Sequence, residues 1–260
     1  DLAGYMGHQR ILYVTYTSRL KRAAREFLGA QGDLLDQQIR VRTFNELVGD
    51  VLNEPAPYVD PFGDLADFAR YLDLQNPSSL GAWRKFPATL YTELRGYLFG
   101  RTFPDNFHLP DTAAERLLFK DTNLTAARYA ATRELSSQDA ELAFKLAERL
   151  RSTPFFTDQR AVIRALPAVN SSRLPTWLRD IDALIVDEVQ DMTMLQIALI
   201  GELARVRLRR RPDLPLAVAL AGDESQVVQP SGFEWGAAKD LMRAMLGVNP
   251  AEFEYRHQRR

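Results

Sequence analysis

The sequence predicts an α/β fold, with a parallel sheet at its centre and a helical insertion in the middle of the chain. Three observations carry this. Ala183-Leu184-Ile185-Val186 is an unbroken apolar run of strand length, which reads as a strand buried on both faces. Two strand–helix units follow one another near the start, an order that implies parallel strands joined by right-handed crossovers. Between residues 58 and 180 the apolar spacing changes to the three- and four-residue steps of helices. The expected division is therefore 1–57 and 181–260 for two parts of one sheet domain, with 58–180 as the insertion.

Each element has a local reason. Residues 10–17 are rich in β-branched and aromatic side chains and read as a strand. Ser18 can cap the helix that follows, whose apolar side is Leu20, Ala23, Ala24, Phe27 and Leu28, with Gly29 and Gly32 closing it. Residues 39–43 form the next strand, and Phe44, Leu47, Val48, Val51 and Leu52 the next helix, stopped by Pro55 and Pro57. Within the insertion, helices are expected at 64–74, 80–99, 111–119 and 137–150, separated by Pro and Gly. A further helix is expected over Met192–Val206, and Leu216–Ala221 is a second apolar strand.

Composition bounds the class. The chain has 260 residues, 46% hydrophobic and 26% charged, with a formal net charge of −1. This is an ordinary globular composition, large enough to bury a substantial core. No cysteine is present, so disulfides and thiolate zinc sites are excluded, and His8, His108 and His257 are too scattered for a histidine metal centre. No apolar run is long enough to span a membrane, and an intracellular, cytoplasmic protein is expected. The balanced charge gives no general attraction to nucleic acid. The arginine cluster at 205, 207, 209, 210 and 211 reads as solvated surface rather than a phosphate site.

Chemistry concentrates where the apolar run ends, at Asp187-Glu188-Val189-Gln190-Asp191. In parallel sheets, ligands sit beyond the carboxyl ends of the strands. Adjacent carboxylates there suit a hard cation and a proton acceptor: Asp187 to hold Mg²⁺ and Glu188 to take a proton from an attacking water. The alternative is that the acids merely cap the next helix. The added Gln190 and Asp191 favour nucleotide chemistry, because Asp-Glu-x-Gln-Asp after an apolar strand resembles motif II, the Walker B segment, of UvrD/Rep-like superfamily 1 DNA helicases.

Further segments extend that resemblance. Val14-Thr15-Tyr16-Thr17-Ser18 is similar to motif Ia of the same family, and Val41-Arg42-Thr43-Phe44-Asn45-Glu46-Leu47 to its T-F-H-S-L segment. Gly222-Asp223-Glu224-Ser225-Gln226 resembles motif III. The resemblance implies a RecA-like P-loop NTPase sheet, ATP and Mg²⁺ as cofactors, and single-stranded DNA as partner, in a helicase of DNA repair. Tyr16, Thr17, Ser18, Thr43 and Phe44 would line the DNA track, with Phe233 or Trp235 as the base-stacking aromatic. Gln226 would sense phosphate state, and Gln190 and Asp223 would lie at the nucleotide. The final residues resemble the start of motif IV, where either Arg256 or Arg260 would reach the γ-phosphate.

The chain departs from the family in two places. After Gln226 it is longer by about two or three residues and lacks the arginine before the glycine. No G-x-x-x-x-G-K-[ST] loop occurs. In the family that loop lies one helix before motif Ia, so an internal piece of a larger enzyme is expected. Two rival readings remain: a non-catalytic nucleic-acid-binding or scaffold module on a degenerate helicase fold, and the motor part of a helicase–nuclease.

Overall fold

The structure is a computed structural model, and it describes residues 10–30, 38–57, 61–75, 80–109, 117–227 and 230–253. Its centre is a four-stranded, wholly parallel sheet. The strands are β1 (Ile11–Thr15), β2 (Ile39–Thr43), β5 (Ala183–Val186) and β6 (Ala217–Leu220), in the order β2-β1-β5-β6. Two-residue strands β3 (Thr102–Phe103) and β4 (Phe119–Lys120) pair separately. Ile11 stands beside both Ile39 and Ala183, and Ala183 beside Ala217, so all four strands begin together and end within one residue of each other. The chain leaves β1 toward β2 on one side and β5 toward β6 on the other. This reversal opens a crevice between the carboxyl ends of β1 and β5.

The sheet is not dry on both faces. Leu12, Val14, Leu184 and Val186 are fully buried. Tyr13 and Ile185, which lie side by side on the other face, are half-buried, and Ala219 beside them is exposed. The expectation of a strand buried on both faces therefore holds in full for one face and in part for the other, where Ile11, Thr15 and Ala183 are buried and Ile185 is not. Helix α1 (Ser18–Ala30) shows the same openness: none of its residues is buried, and Phe27 is 66% exposed. Its cap is Thr17, whose Oγ1 accepts the Leu20 N–H at 3.2 Å, and not Ser18, which is the first helical residue.

The buried face is packed by α2 (Phe44–Leu52), α7 (Thr157–Ala168), the short α8 (Thr176–Arg179), α9 (Met194–Arg210) and α10 (Trp235–Leu246). Most of α9 is buried, as an all-round apolar helix requires. It starts at Met194 rather than Met192 because Thr193 caps it: the Thr193 hydroxyl accepts from Gln196 N–H, and Gln196 Oε1 accepts the Thr193 N–H at 2.9 Å. Neither α7 nor α10 was expected from the sequence. In α7, Pro167 sits in the last turn, where it removes a hydrogen bond without breaking the turns before it.

A second core lies in the insertion. It is built by α3 (Pro61–Asp73), a 3₁₀ turn at Gly81–Lys85, α4 (Pro87–Thr92) with a π-helical continuation at Glu93–Phe99, α5 (Ala126–Arg133) and α6 (Ser137–Leu150). The stretch expected as one helix over 80–99 is broken by Pro87, which starts a new helix at its first turn. Residues 111–116 of the expected helix 111–119 lie outside the described residues, and Phe119 at its end is in a strand. The aromatic centre of this core includes Phe99 stacked on Phe156 at 4.8 Å. Beyond Phe156 the chain rejoins the sheet: Ala161, Val162, Ala165, Leu166, Leu174 and Leu178 all belong to the first core. The insertion as a separate core thus ends well before residue 180.

Candidate functional site

Asp187 leaves β5 at the crevice, beside β1. Its backbone N–H still donates to Val14 O at 2.8 Å, so the strand pairing carries the carboxylate to the very end of the ladder. The side chain is held from both sides. Tyr13 Oη donates to Oδ2 at 2.6 Å, and the Glu188 N–H donates to Oδ1 at 3.0 Å. Burial, and then the bond to Asp187, push the Tyr13 phenol well above its ordinary range, so it stays a donor. Tyr13 was not anticipated as a site residue. The usable signal was a tyrosine in a buried strand, whose hydroxyl needs a partner.

Glu188 has φ +59°, the left-handed region that a side chain other than glycine rarely adopts. That turn lifts its carboxylate away from the strand direction, where Gln190 Nε2 donates to Oε2. Gln190 is 1% exposed, and its Oε1 accepts the Asp223 N–H at 3.2 Å. Both ends of the amide are thus used inside the protein. Gln190 joins the exits of β5 and β6 and presents nothing outward to a nucleotide, which corrects the sequence-based expectation for it. Gly222 is needed for this join: a Cβ there would fall 2.4 Å from Gln190 Oε1. The Ser231 hydroxyl adds a third strap, donating to Gln190 O at 2.6 Å.

Asp223 and Gln226 form a separate, exposed turn. The Asp223 carboxylate accepts from Ser225 N–H at 2.9 Å, Ser225 Oγ at 2.7 Å and Gln226 Nε2 at 2.7 Å. The Ser225 and Gln226 bonds hold that carboxyl below its usual range. Gln226 therefore bonds within its own turn, and no bond joins it to Glu188 among those of the described residues.

The residues expected on a DNA track divide into two sets. Thr17 and Ser18 are exposed at the carboxyl edge, and Tyr16 is half-buried beside them. The Tyr16 hydroxyl points inward and accepts from Arg95 Nη2 at 2.8 Å. Burial pushes that phenol up, against the pull of Arg95. Thr43 and Phe44 belong inside instead. Thr43 is 7% exposed, and its hydroxyl accepts the Glu46 N–H at 3.2 Å while its own N–H donates to Glu46 Oε2 at 2.9 Å. Phe44 is 1% exposed in the first core. It offers no face to a base, so its assignment to the track is corrected to core packing. The two aromatics after the motif III turn are both half-buried, with rings edge to face at 5.0 Å. Phe233 borders a cleft of about 420 Å³ shared with Leu65, Ala88, Thr92 and Pro230, so this cleft joins the sheet side to the insertion. Arg256 and Arg260 lie outside the described residues.

The acids fit Mg²⁺ in kind. No group of three or more His, Cys, Asp or Glu side chains that could cage a metal occurs among the described residues. Mg²⁺ commonly uses one or two protein carboxylates and completes its shell with water and phosphate oxygens. Asp187, half-exposed and oriented by Tyr13, suits that role. The arginine cluster is more internal than its composition suggested: Arg207 is fully buried, and Arg205 pairs with buried Glu202 at 2.7 Å. No protein-family model matches the chain, and no curated protein matches it.

Proposed function

We propose that this chain is part of an ATP-dependent DNA helicase or translocase, carrying most of a RecA-like motor domain with its helical insertion. The observation that supports it best is the join at Gln190. The segments resembling motifs II and III leave adjacent parallel strands and are tied together by one buried amide, at the crevice where an α/β sheet takes its ligand. In this reading Asp187 would hold Mg²⁺, which would supply charge neutralisation for a bound nucleotide. Glu188 accepts a proton from water, and the exposed turn at Asp223–Gln226 faces the γ-phosphate. Tyr16, Thr17, Ser18 and the Phe233–Trp235 pair form part of a single-stranded DNA track.

The chain contains no phosphate loop to cradle β- and γ-phosphates. It is therefore expected to bind DNA without hydrolysing ATP by itself. The decisive measurement is fluorescence anisotropy of a short single-stranded oligonucleotide over a range of salt. Weak binding is expected, with log K falling by about 0.7 per tenfold salt for each phosphate contacted. Phe233→Ala or Trp235→Ala should remove about 1–3 kcal/mol, whichever ring carries the stack. Absence of binding at low salt, or binding indifferent to salt, would refute the track. Binding that no substitution at Asp187 or Glu188 can link to Mg²⁺-nucleotide, even with a phosphate loop supplied, would favour the non-catalytic module.

A further inference from the structure

We infer that Arg95 is a positioning residue whose guanidinium clamps the Tyr16 hydroxyl and so fixes the ring on which a nucleic-acid base stacks; this rests on the DNA-track reading above. Arg95 lies in the π-helical turn Glu93–Phe99 of the insertion and is 1% exposed. Its Nη2 donates to Tyr16 Oη at 2.8 Å and to Asp158 Oδ2 at 2.6 Å, while its buried Nη1 has no partner. Asp158 is itself 3% exposed and accepts from Gln159 Nε2 at 3.0 Å. Gln159 Oε1 in turn accepts from Thr193 Oγ1 at 2.9 Å. Thr193 is the cap of α9, just after the acidic segment.

Stability does not explain this arrangement. A buried ion pair rarely outperforms apolar packing of the same volume, and an orphaned guanidinium nitrogen adds a desolvation cost. A π-turn inside a helix is also common where function demands a displaced side chain. What the arrangement does achieve is specific. It reaches from the insertion across to the loop after β1 and holds one hydroxyl there. Tyr16 has two rotatable side-chain bonds, and fixing the hydroxyl inside fixes both, with the residue as a whole only partly buried beside exposed Thr17 and Ser18. A ring already held in its bound orientation loses less entropy when a base lands on it. Through Gln159 and Thr193 the clamp is continuous with the segment that follows Glu188, so the stacking ring and the acidic site share one buried network.

The test uses Tyr16→Phe, Arg95→Met and the double variant, each with a thermal melt, a tyrosine-selective ¹³C NMR spectrum and an oligonucleotide titration. Tyr16→Phe keeps the ring and the Arg95–Asp158 pair, so it reports on the clamp even where Arg95→Met destabilises the fold. It is expected to weaken single-stranded DNA binding roughly two- to tenfold, the range for releasing one immobilised side chain. Arg95→Met should weaken binding by a similar factor and shift the Tyr16 ring signal. The double variant should lose no more than either single one, because both remove the same contact. Wild-type affinity in Tyr16→Phe, multiplying losses in the double variant, or an unmoved Tyr16 signal in Arg95→Met would overturn the clamp. Absence of DNA binding in the wild-type chain would instead refute the function, and the Tyr16 signal would still decide the clamp.

Discussion

Arg207 is buried completely, yet all five of its N–H groups have acceptors. Nε donates to Ile181 O at 2.6 Å, Nη1 to Arg211 O and Leu214 O at 3.1 Å, and Nη2 to Asp182 Oδ1 and Pro215 O at 3.2 Å. One side chain thus satisfies the backbone where the chain enters β5 and where it turns from α9 into β6. Replacing it removes a donor from four carbonyls and from Asp182, although Asp182 keeps the Arg10 N–H and Arg211 O keeps the Leu214 N–H, each at 3.2 Å. Arg207→Met is therefore expected to cost about 3–5 kcal/mol. At roughly 2–4 °C per kcal/mol for a chain of this size, the melting temperature should fall by about 6–20 °C. Arg210→Met, exposed on the same helix, is the control and should melt as wild type. Equal melts for the two would show that the Arg207 network adds nothing. Phe44→Ala belongs to the same scale: as a core residue it should lower stability by about 3–5 kcal/mol, with DNA affinity lost only alongside folding. The sequence could not separate these cases, because an arginine in a basic cluster and a phenylalanine at a strand end look alike whether buried or exposed. Burial is decided by what packs on the residue from distant segments.

Of the locally capped helices, α2 was placed correctly while the caps Thr17 and Thr193 were each missed by one or two residues, and helix extents were not legible where tertiary contacts decide them. Helix α2 begins as the sequence suggested, since Thr43 and Glu46 make a reciprocal capping box within four residues. Lys21 reaches over from α1 to bond both Glu46 oxygens, at 2.5 and 2.6 Å. Burial works to raise the Glu46 pKa, but the bonds from Lys21 and the Thr43 N–H outweigh it and hold the carboxyl below its usual range. The folded-state pKa then lies below the unfolded one. This contribution is fully present above the unfolded pKa, about 4.3, and is lost as pH falls through the folded value. Amide protection at Thr43 and Glu46 should therefore drop on acidification below about pH 4. Glu46→Gln should lower protection at neutral pH and flatten that dependence. A steep acid loss that persists in Glu46→Gln would assign the effect to another group. By contrast, α7 and α10 were not expected from the sequence: Pro167 reads as punctuation in the first, and the start of the second falls within the stretch after the segment resembling motif III; both pack on α9.

The molecule has two cores but few places where they are independent. The four parallel strands were legible because each is a short run whose spacing is set by the backbone itself. The boundary of the insertion was not, because it depends on which core each apolar residue joins. The cores are bridged by polar contacts: the buried Arg95–Asp158 pair, buried Arg101 to the exposed carboxylate of Glu234 at 3.0 Å, and the Leu195 N–H to Gly100 O at 2.7 Å. Gly96 also lies so close to the loop before α10 that a Cβ there would fall 2.9 Å from Ser231 C. Polar groups buried across a boundary cannot be exposed on one side only without leaving the other side unsatisfied, at about 1–3 kcal/mol each. The two cores are therefore expected to unfold as one unit. The tryptophans report on this directly. Trp83 lies in the insertion core, its Nε1 donating to Asp139 O at 2.9 Å, whereas Trp177 and Trp235 pack against the sheet core. Urea unfolding followed by fluorescence in Trp83→Phe, and in the Trp177→Phe Trp235→Phe pair, should give one midpoint once corrected for each variant's stability, coincident with the far-ultraviolet circular dichroism transition. Separate midpoints, with the Trp83 signal lost first while the sheet remains, would make the insertion an independent module and remove the physical basis for its hold on Tyr16.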